Sequence, residues 1–152
     1  MVKRRDQIKM TPEEVEAYLD APRSLNVASF NHDGSIHLVA MWFAMDGGDV
    51  VFWTYGKSQK ILNLQRDPRV TCLVEDGDAY DKLRGVELVG TAEVITDWPD
   101  ILDIGIKVVE KYQMPVTEET KPFIEQVGAK RFGVRIKVDK IVSWDHTKVE
   151  GY

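Results

Sequence analysis

Apolar residues in this chain gather into short runs that turn signals separate. Leu25 to Phe30 and Ile36 to Phe43 are two such runs. Between them, Asn31-His32-Asp33-Gly34-Ser35 carries the Asp-Gly pair of a hairpin turn. Asp46-Gly47-Gly48-Asp49 turns the chain again into Val50 to Tyr55. Val70 to Glu75, Val86 to Thr96, Arg131 to Val138 and Lys140 to Asp145 have the same strand character. The first half therefore predicts an antiparallel meander, and the whole chain about seven short strands.

Stretches of helical period lie around and between these runs. Thr11-Pro12-Glu13-Glu14 is a helix start: Thr11 caps, Pro12 suits the first helical position, and Glu14 completes a capping box. That helix should reach Asp20 before Pro22 stops it. Ser58 to Arg66 predicts a second helix, closed by Asp67-Pro68. Asp97-Trp98-Pro99-Asp100 opens a third that runs to Tyr112, with Ile101, Ile104, Val108 and Val109 on one side. Thr117 to Val127 predicts a fourth, with Pro122 near its first turn. No repeat, linker or low-complexity segment interrupts the pattern. The expectation is one domain over residues 1–152, mainly β with peripheral helices.

One strand departs from simple alternation. In Ile36 to Phe43 one face carries Ile36, Leu38, Ala40 and Trp42, and the other carries His37, Val39, Met41 and Phe43. An open sheet with a solvated face alternates apolar with polar. Two apolar faces predict a barrel wall covered outside by a helix or a second subunit.

Composition narrows the function. The net charge of −5 argues against a nucleic-acid binder, which shows a basic face. The single cysteine, Cys72, excludes an internal disulfide and reads as a small buried hydrophobe. Basic residues at the N-terminus precede no apolar segment, and no stretch approaches the ~20 apolar residues of a membrane span. The chain reads as cytoplasmic. His32, His37 and His146 form no metal-binding spacing. Asp76, Asp78 and Asp81 lack the calcium-loop pattern and read as a solvated loop. No nucleophile, base and orienter assemble from the sequence.

Against that background Thr54-Tyr55-Gly56-Lys57-Ser58-Gln59-Lys60 stands out. A helix N-terminus carries roughly half a positive charge and prefers Asp or Glu. Here Lys57 and Lys60 flank the predicted helix start in an acidic chain. Free helix N–H groups and two ammoniums suit a phosphate. Ser58 would either cap the helix or donate to that anion, and Gly56 lets the backbone come close. The bland alternative is a solvated helix start with chance lysines. No G-x-x-x-x-G-K or G-x-G-x-x-G phosphate loop occurs.

Taken together these motifs resemble the split-barrel flavin and deazaflavin family, the pyridoxamine-phosphate-oxidase-like proteins and their relatives that use coenzyme F420. Thr54 and Ser58-Gln59-Lys60 stand where flavin members grip the FMN phosphate. The F420-type members are more similar still: they share Met41-Trp42-Phe43, Lys57-Ser58-Gln59-Lys60, the Asn63-Leu64 and Asp67-Pro68-Arg69-Val70 run, Glu75-Asp76-Gly77, Leu83-Arg84-Gly85-Val86 and Ser143-Trp144-Asp145-His146. The resemblance implies a six-stranded antiparallel split β-barrel like that of FMN-binding proteins. It implies a homodimer with the cofactor in the groove between subunits. It places the ring along Val39, Ala40, Met41 and Trp42 with Thr54 nearby, and the phosphate on Lys57, Ser58 and Lys60. Trp144 would reach the groove from the partner subunit.

The implied activity is hydride transfer from reduced F420 to a small-molecule acceptor. The same fold with FMN, as oxidase or reductase, is the alternative, followed by a non-catalytic cofactor- or haem-binding protein. The chain ends without the C-terminal Trp and Arg cluster of the vitamin B6 oxidases, and no Arg follows Arg135, which argues against that reaction. Tyr80, His37 and water are the candidate proton donors. Arg84 would meet an anionic tail or pair with Asp78 or Asp81.

Overall fold

The computed structural model describes residues 1–150. Its strands are β1 (Leu25–Phe30), β2 (Ile36–Met41), β3 (Ala44–Asp46), β4 (Asp49–Tyr55), β5 (Arg69–Asp76), β6 (Arg84–Ile95) and β7 (Arg131–Asp145). Its helices are α1 (Arg4–Ile8), α2 (Pro12–Asp20), α3 (Gln59–Arg66), α4 (Trp98–Tyr112) and α5 (Lys121–Gly128). The strands form one sheet in the order β2-β1-β5-β6-β7-β4-β3, every pair antiparallel. Among the described residues no helix is long and apolar enough to cross a membrane.

The sheet curls around a core that takes alternate residues from each strand. Leu25, Val27, Val50, Phe52, Cys72, Val74, Val86, Leu88, Val134 and Ile136 are all buried there. Val15, Leu19, Ile61 and Leu64 add the apolar faces of α2 and α3. Burial pushes the Cys72 thiol up to about 12, so it stays a neutral apolar group. The opposite face of β4 is buried too, where Val51 and Trp53 pack against Ile101, Ile104 and Val108 of α4 and Ile124 of α5. This is the split barrel expected of the chain, with two helices laid against one wall.

The two edge strands of the sheet are neighbours in sequence. The run expected as one strand, Ile36 to Phe43, stops at Met41, and the chain crosses at Trp42-Phe43 to start β3 on the other edge. Tyr112 holds this crossing. Its hydroxyl accepts the Phe43 N–H at 3.4 Å and donates to the Arg23 carbonyl at 2.5 Å. Its ring stacks on Trp42 with centroids 4.8 Å apart. Beside it the Lys111 ammonium sits 3.6 Å from the Phe43 ring centre and donates to the Leu19 carbonyl at 2.6 Å.

Other expectations shift for local reasons. Arg131 to Val138 and Lys140 to Asp145 are one strand, because a bulge at Asp139 lets pairing resume: Gly90 faces Val138 and Val89 faces Lys140. The strand total is seven, against the six that the resemblance implied, with β3 only three residues long. The helix expected from Thr117 begins at Lys121, since Thr117 and Thr120 close a turn through their own hydroxyls. Helix α1 was not anticipated. Among the described residues no helix covers the outer face of β2, where Ile36 and Leu38 are 65% and 67% exposed.

Trp53 fits between two glycines. A Cβ on Gly105 would lie 2.3 Å from its ring, and one on Gly128 2.5 Å. Gly105→Ala therefore overpacks a buried site, costing about 1–3 kcal/mol against a helix-propensity gain of about 1 kcal/mol. The expected outcome is a lower thermal unfolding midpoint; an unchanged or higher midpoint contradicts the fit.

Burial also lowers the Lys111 ammonium to about 8, opposed by the nearby Asp20 carboxylate. An unfolded Lys titrates near 10.4. The unfolded chain thus binds more protons between these values, and stability from this group rises with pH across them. Urea midpoints of the wild type, relative to Lys111→Met, should climb as pH rises from 8 to 10 and level off below 8.

Candidate functional site

The segment that links β4 to α3 is fixed at both ends. The Gly56 N–H donates to the Lys130 carbonyl at 2.9 Å, tying the end of β4 to the start of β7. A Cβ on Gly56 would press on the Phe132 ring at 3.2 Å. Helix α3 is seated by Ile61 and Leu64 in the core and by Asn63, which is fully buried. The Asn63 amide donates to Ser29 Oγ at 3.2 Å and Asn31 Oδ1 at 3.0 Å. Its oxygen accepts from Gln59 at 2.8 Å and Arg66 at 3.0 Å. Asp67 binds the Arg69 guanidinium at 2.7 Å, which pulls its carboxyl down to about 2. The shared Asn and Asp-Pro-Arg motif is thus the mount of the helix.

At the mouth of that helix the charges are unbalanced. Ser58 is the N-cap by backbone geometry, yet its side chain makes no capping bond. Its Oγ is buried with no hydrogen-bond partner among the described residues. The first turn of α3 holds no acidic residue. Lys57 is exposed and Lys60 half-buried. Burial, then the positive charge of Arg131, pushes the Lys60 ammonium below its ordinary value. No ion pair joins Lys57, Lys60 or Arg131 to a carboxylate among the described residues. A buried hydroxyl and charged groups without counter-ions fit an anion, and they fit the phosphate of a flavin-type cofactor.

Arg131 also borders a cavity of about 310 Å³. Ala40, Met41 and Trp42 form one side of it; Trp53, Val108 and Val127 form much of the other. The expected ring residues Ala40, Met41 and Trp42 therefore meet, beside the lysine site. Val39 instead packs against the barrel core. Thr54 is buried on the β4 face that carries Val50 and Phe52, whereas the cavity opens on the Trp53 side. Trp144 lies at the far end of β7 from Arg131, across from Gly85, where a Cβ would strike its ring at 2.3 Å. Within one chain it does not approach Lys60.

Of the candidate proton donors, Tyr80 stands edge-on to His146 at 4.9 Å, at that same far end. His37 pairs with Ser29, and its Nδ1 is buried without a partner among the described residues. Arg84 pairs with Asp76 at 2.8 Å, not with Asp78 or Asp81, because the Tyr18 hydroxyl holds the same carboxylate at 2.7 Å. The sequence reading missed Arg131 and Tyr112. The only signal for Arg131 is the pairing of Tyr55 with Arg131, a long-range register.

Comparisons with known proteins bear on the family and the fold. The family model described as pyridoxamine 5'-phosphate oxidase matches residues 11–145. A conserved hypothetical protein of Mycobacterium tuberculosis, Rv2991, is 43% identical with a TM-score of 0.91, covering 97% of this chain and 92% of its own. A structure described as an F420 reductase is 28% identical with a TM-score of 0.68, covering 86% of this chain and 98% of its own. The haem storage protein HutZ of Vibrio cholerae shares the fold at 10% identity, with a TM-score of 0.69, covering 87% and 94%. A search of curated proteins finds no match. A family match over residues 11–145, on a chain that folds as one antiparallel seven-stranded sheet, means that this protein belongs to the pyridoxamine 5'-phosphate oxidase family.

Proposed function

We propose that the protein is an F420-dependent oxidoreductase, a reductase that acts on a small-molecule acceptor as a homodimer. The observation that carries this reading is a cluster of cations around the buried Ser58 hydroxyl, the cations without a carboxylate partner and the hydroxyl without a hydrogen-bond partner among the described residues, beside an aromatic cavity. Lys57, Ser58 and Lys60 hold the cofactor phosphate, joined by the free N–H groups of α3. Ala40, Met41 and Trp42 lie along the ring, with Val39 and Thr54 behind them. The F420 reductase at 28% identity supports F420 over FMN.

When bound, a reduced deazaflavin supplies a hydride, two electrons with one proton. The chain's own part is to position that ring, to hold the acceptor against it and to keep water out. The acceptor's second proton comes from solvent or a nearby side chain.

The exposed outer face of β2 supports the dimer. Ile36, Leu38 and Trp42 are 65%, 67% and 47% exposed, and the half-buried Ala28, Phe30 and Leu73 continue the apolar face across β1 and β5. A contiguous apolar face of this kind marks an interface. Trp144, remote from Lys60 in its own chain, enters the groove from the partner copy.

Titration of the purified protein with F420 and, separately, with FMN, read by tryptophan fluorescence, tests the reading. Micromolar or tighter binding of F420 with weaker binding of FMN is expected. Lys60→Ala removes a charge-assisted contact worth roughly 1.5–3 kcal/mol, so F420 binding should weaken tenfold or more. Preference for FMN moves the protein to the flavin branch, and unchanged affinity in the variant sinks the phosphate site.

A further inference from the structure

Trp42 lines the cavity from the crossing between β2 and β3, and it joins neither ladder. Its side chain is 47% exposed. An indole in such a place turns about two side-chain bonds unless a neighbour fixes it. That neighbour is Tyr112, whose ring lies 4.8 Å from the Trp42 ring and 4° from parallel. Tyr112 is the last residue of α4. Val109 and Gln113 on either side of it line the cavity, whereas Tyr112 stands behind Trp42.

Tyr112 is itself held from three directions. Its hydroxyl donates to the Arg23 carbonyl at 2.5 Å and accepts the Phe43 N–H at 3.4 Å. Its ring packs against both apolar clusters, the barrel core and the helix side of β4. The Lys111 ammonium stands 5.4 Å from its ring centre. Burial raises the Tyr112 hydroxyl above its ordinary value, so at neutral pH it keeps the proton it donates. The two ends of the residue thus have separate tasks. The hydroxyl fixes where the crossing lies, and the ring fixes how the Trp42 indole is turned.

We propose that Tyr112 is a positioning residue for the cofactor ring: it sets the plane of the Trp42 indole before the ring arrives, so that Trp42 is a fixed flat wall. The inference rests on the reading that Trp42 lies along that ring. Aromatic faces attract one another in parallel, offset arrangements, so the orientation of the wall decides the orientation of what binds to it. A loose indole has to be ordered by each ligand at a cost in affinity, and one already ordered by Tyr112 does not.

Nitrogen relaxation of the tryptophan indole groups, measured on the full chain without cofactor, tests the first half. The Trp42 signal is the one lost in Trp42→Phe. Its order parameter should approach the rigid-backbone value of about 0.85 in the wild type and in Tyr112→Phe, and fall below about 0.6 in Tyr112→Leu. The same samples are then titrated with 8-hydroxy-5-deazariboflavin, a deazaflavin ring without a phosphate, and with inorganic phosphate. Tyr112→Leu should weaken the ring probe roughly three- to tenfold and leave phosphate binding unchanged. Tyr112→Phe leaves the buried Phe43 N–H without its acceptor, so its thermal midpoint should fall while its ring affinity stays that of the wild type. A mobile Trp42 indole in the wild type overturns the proposal without recourse to any variant. So does unchanged ring affinity in Tyr112→Leu, or an equal loss in Tyr112→Phe, which would make Tyr112 a part of the fold only. A rigid, Tyr112-dependent indole in a protein that binds neither the ring probe nor F420 would sink the cofactor reading alone.

Discussion

Everything in this molecule is arranged around a strand that must be buried on both faces. Val50 to Thr54 of β4 are all buried. An apolar run of this kind has no side to offer water, so both sides need cover worth roughly 25 cal/mol per Å² of apolar surface. The barrel supplies one cover, through Val50 and Phe52. Helices α4 and α5 supply the other, around Val51 and Trp53. Close approach of those helices is possible because Gly105 and Gly128 leave room for the Trp53 ring. The cavity is what remains where the two covers meet the corner at Trp42.

The same strand accounts for the position of the anion site. Strand β4 pairs with β7 from Val50 to Tyr55, so its end comes to lie against Arg131. The chain then turns at Gly56 and launches α3 with its free N–H groups beside that arginine. Arg84 pairs with Asp76, Arg135 with Asp46 and Asp49, and Lys148 with Glu14. Lys57, Lys60 and Arg131 instead gather in one place with no carboxylate partner among the described residues. Two of them repel each other, and burial of Lys60 adds to the cost. A site that is unfavourable alone and favourable with an anion is what binding requires.

Much of this was legible along the chain. The Thr11–Glu14 capping box forms in both directions, at 3.2 and 3.1 Å. The Asp-Gly turn places Gly34 at φ 86°, where a side chain is disfavoured. The lysines at α3 were readable because they violate a local rule of electrostatics. What could not be read depends on long-range register. The break at Trp42 is invisible in a continuous apolar run, since only the sheet's closure demands it. Asp139 looks like a strand boundary, yet the ladder continues past it by bulging. Arg131 carries no motif of its own and matters only because of the partner it acquires across the sheet. Ser58 was open between capping and anion binding, and its buried hydroxyl, without a partner among the described residues, favours the second.

The crossing at Trp42-Phe43 connects these two levels. A curled sheet whose edge strands are consecutive needs a short, sharp passage between them, and the residues there cannot join either ladder. Phe43 resolves this by full burial, and its N–H is taken by the Tyr112 hydroxyl. Trp42 cannot be buried on the same side, so it turns outward and stacks on Tyr112. The aromatic surface of the cavity thus follows from closing the barrel. The charged part does not follow from folding, because neither Arg131 nor Lys60 gains an ion pair among the described residues. Residues that stability leaves without a counter-ion, set beside an aromatic surface that stability requires, are the part of the chain that a ligand explains.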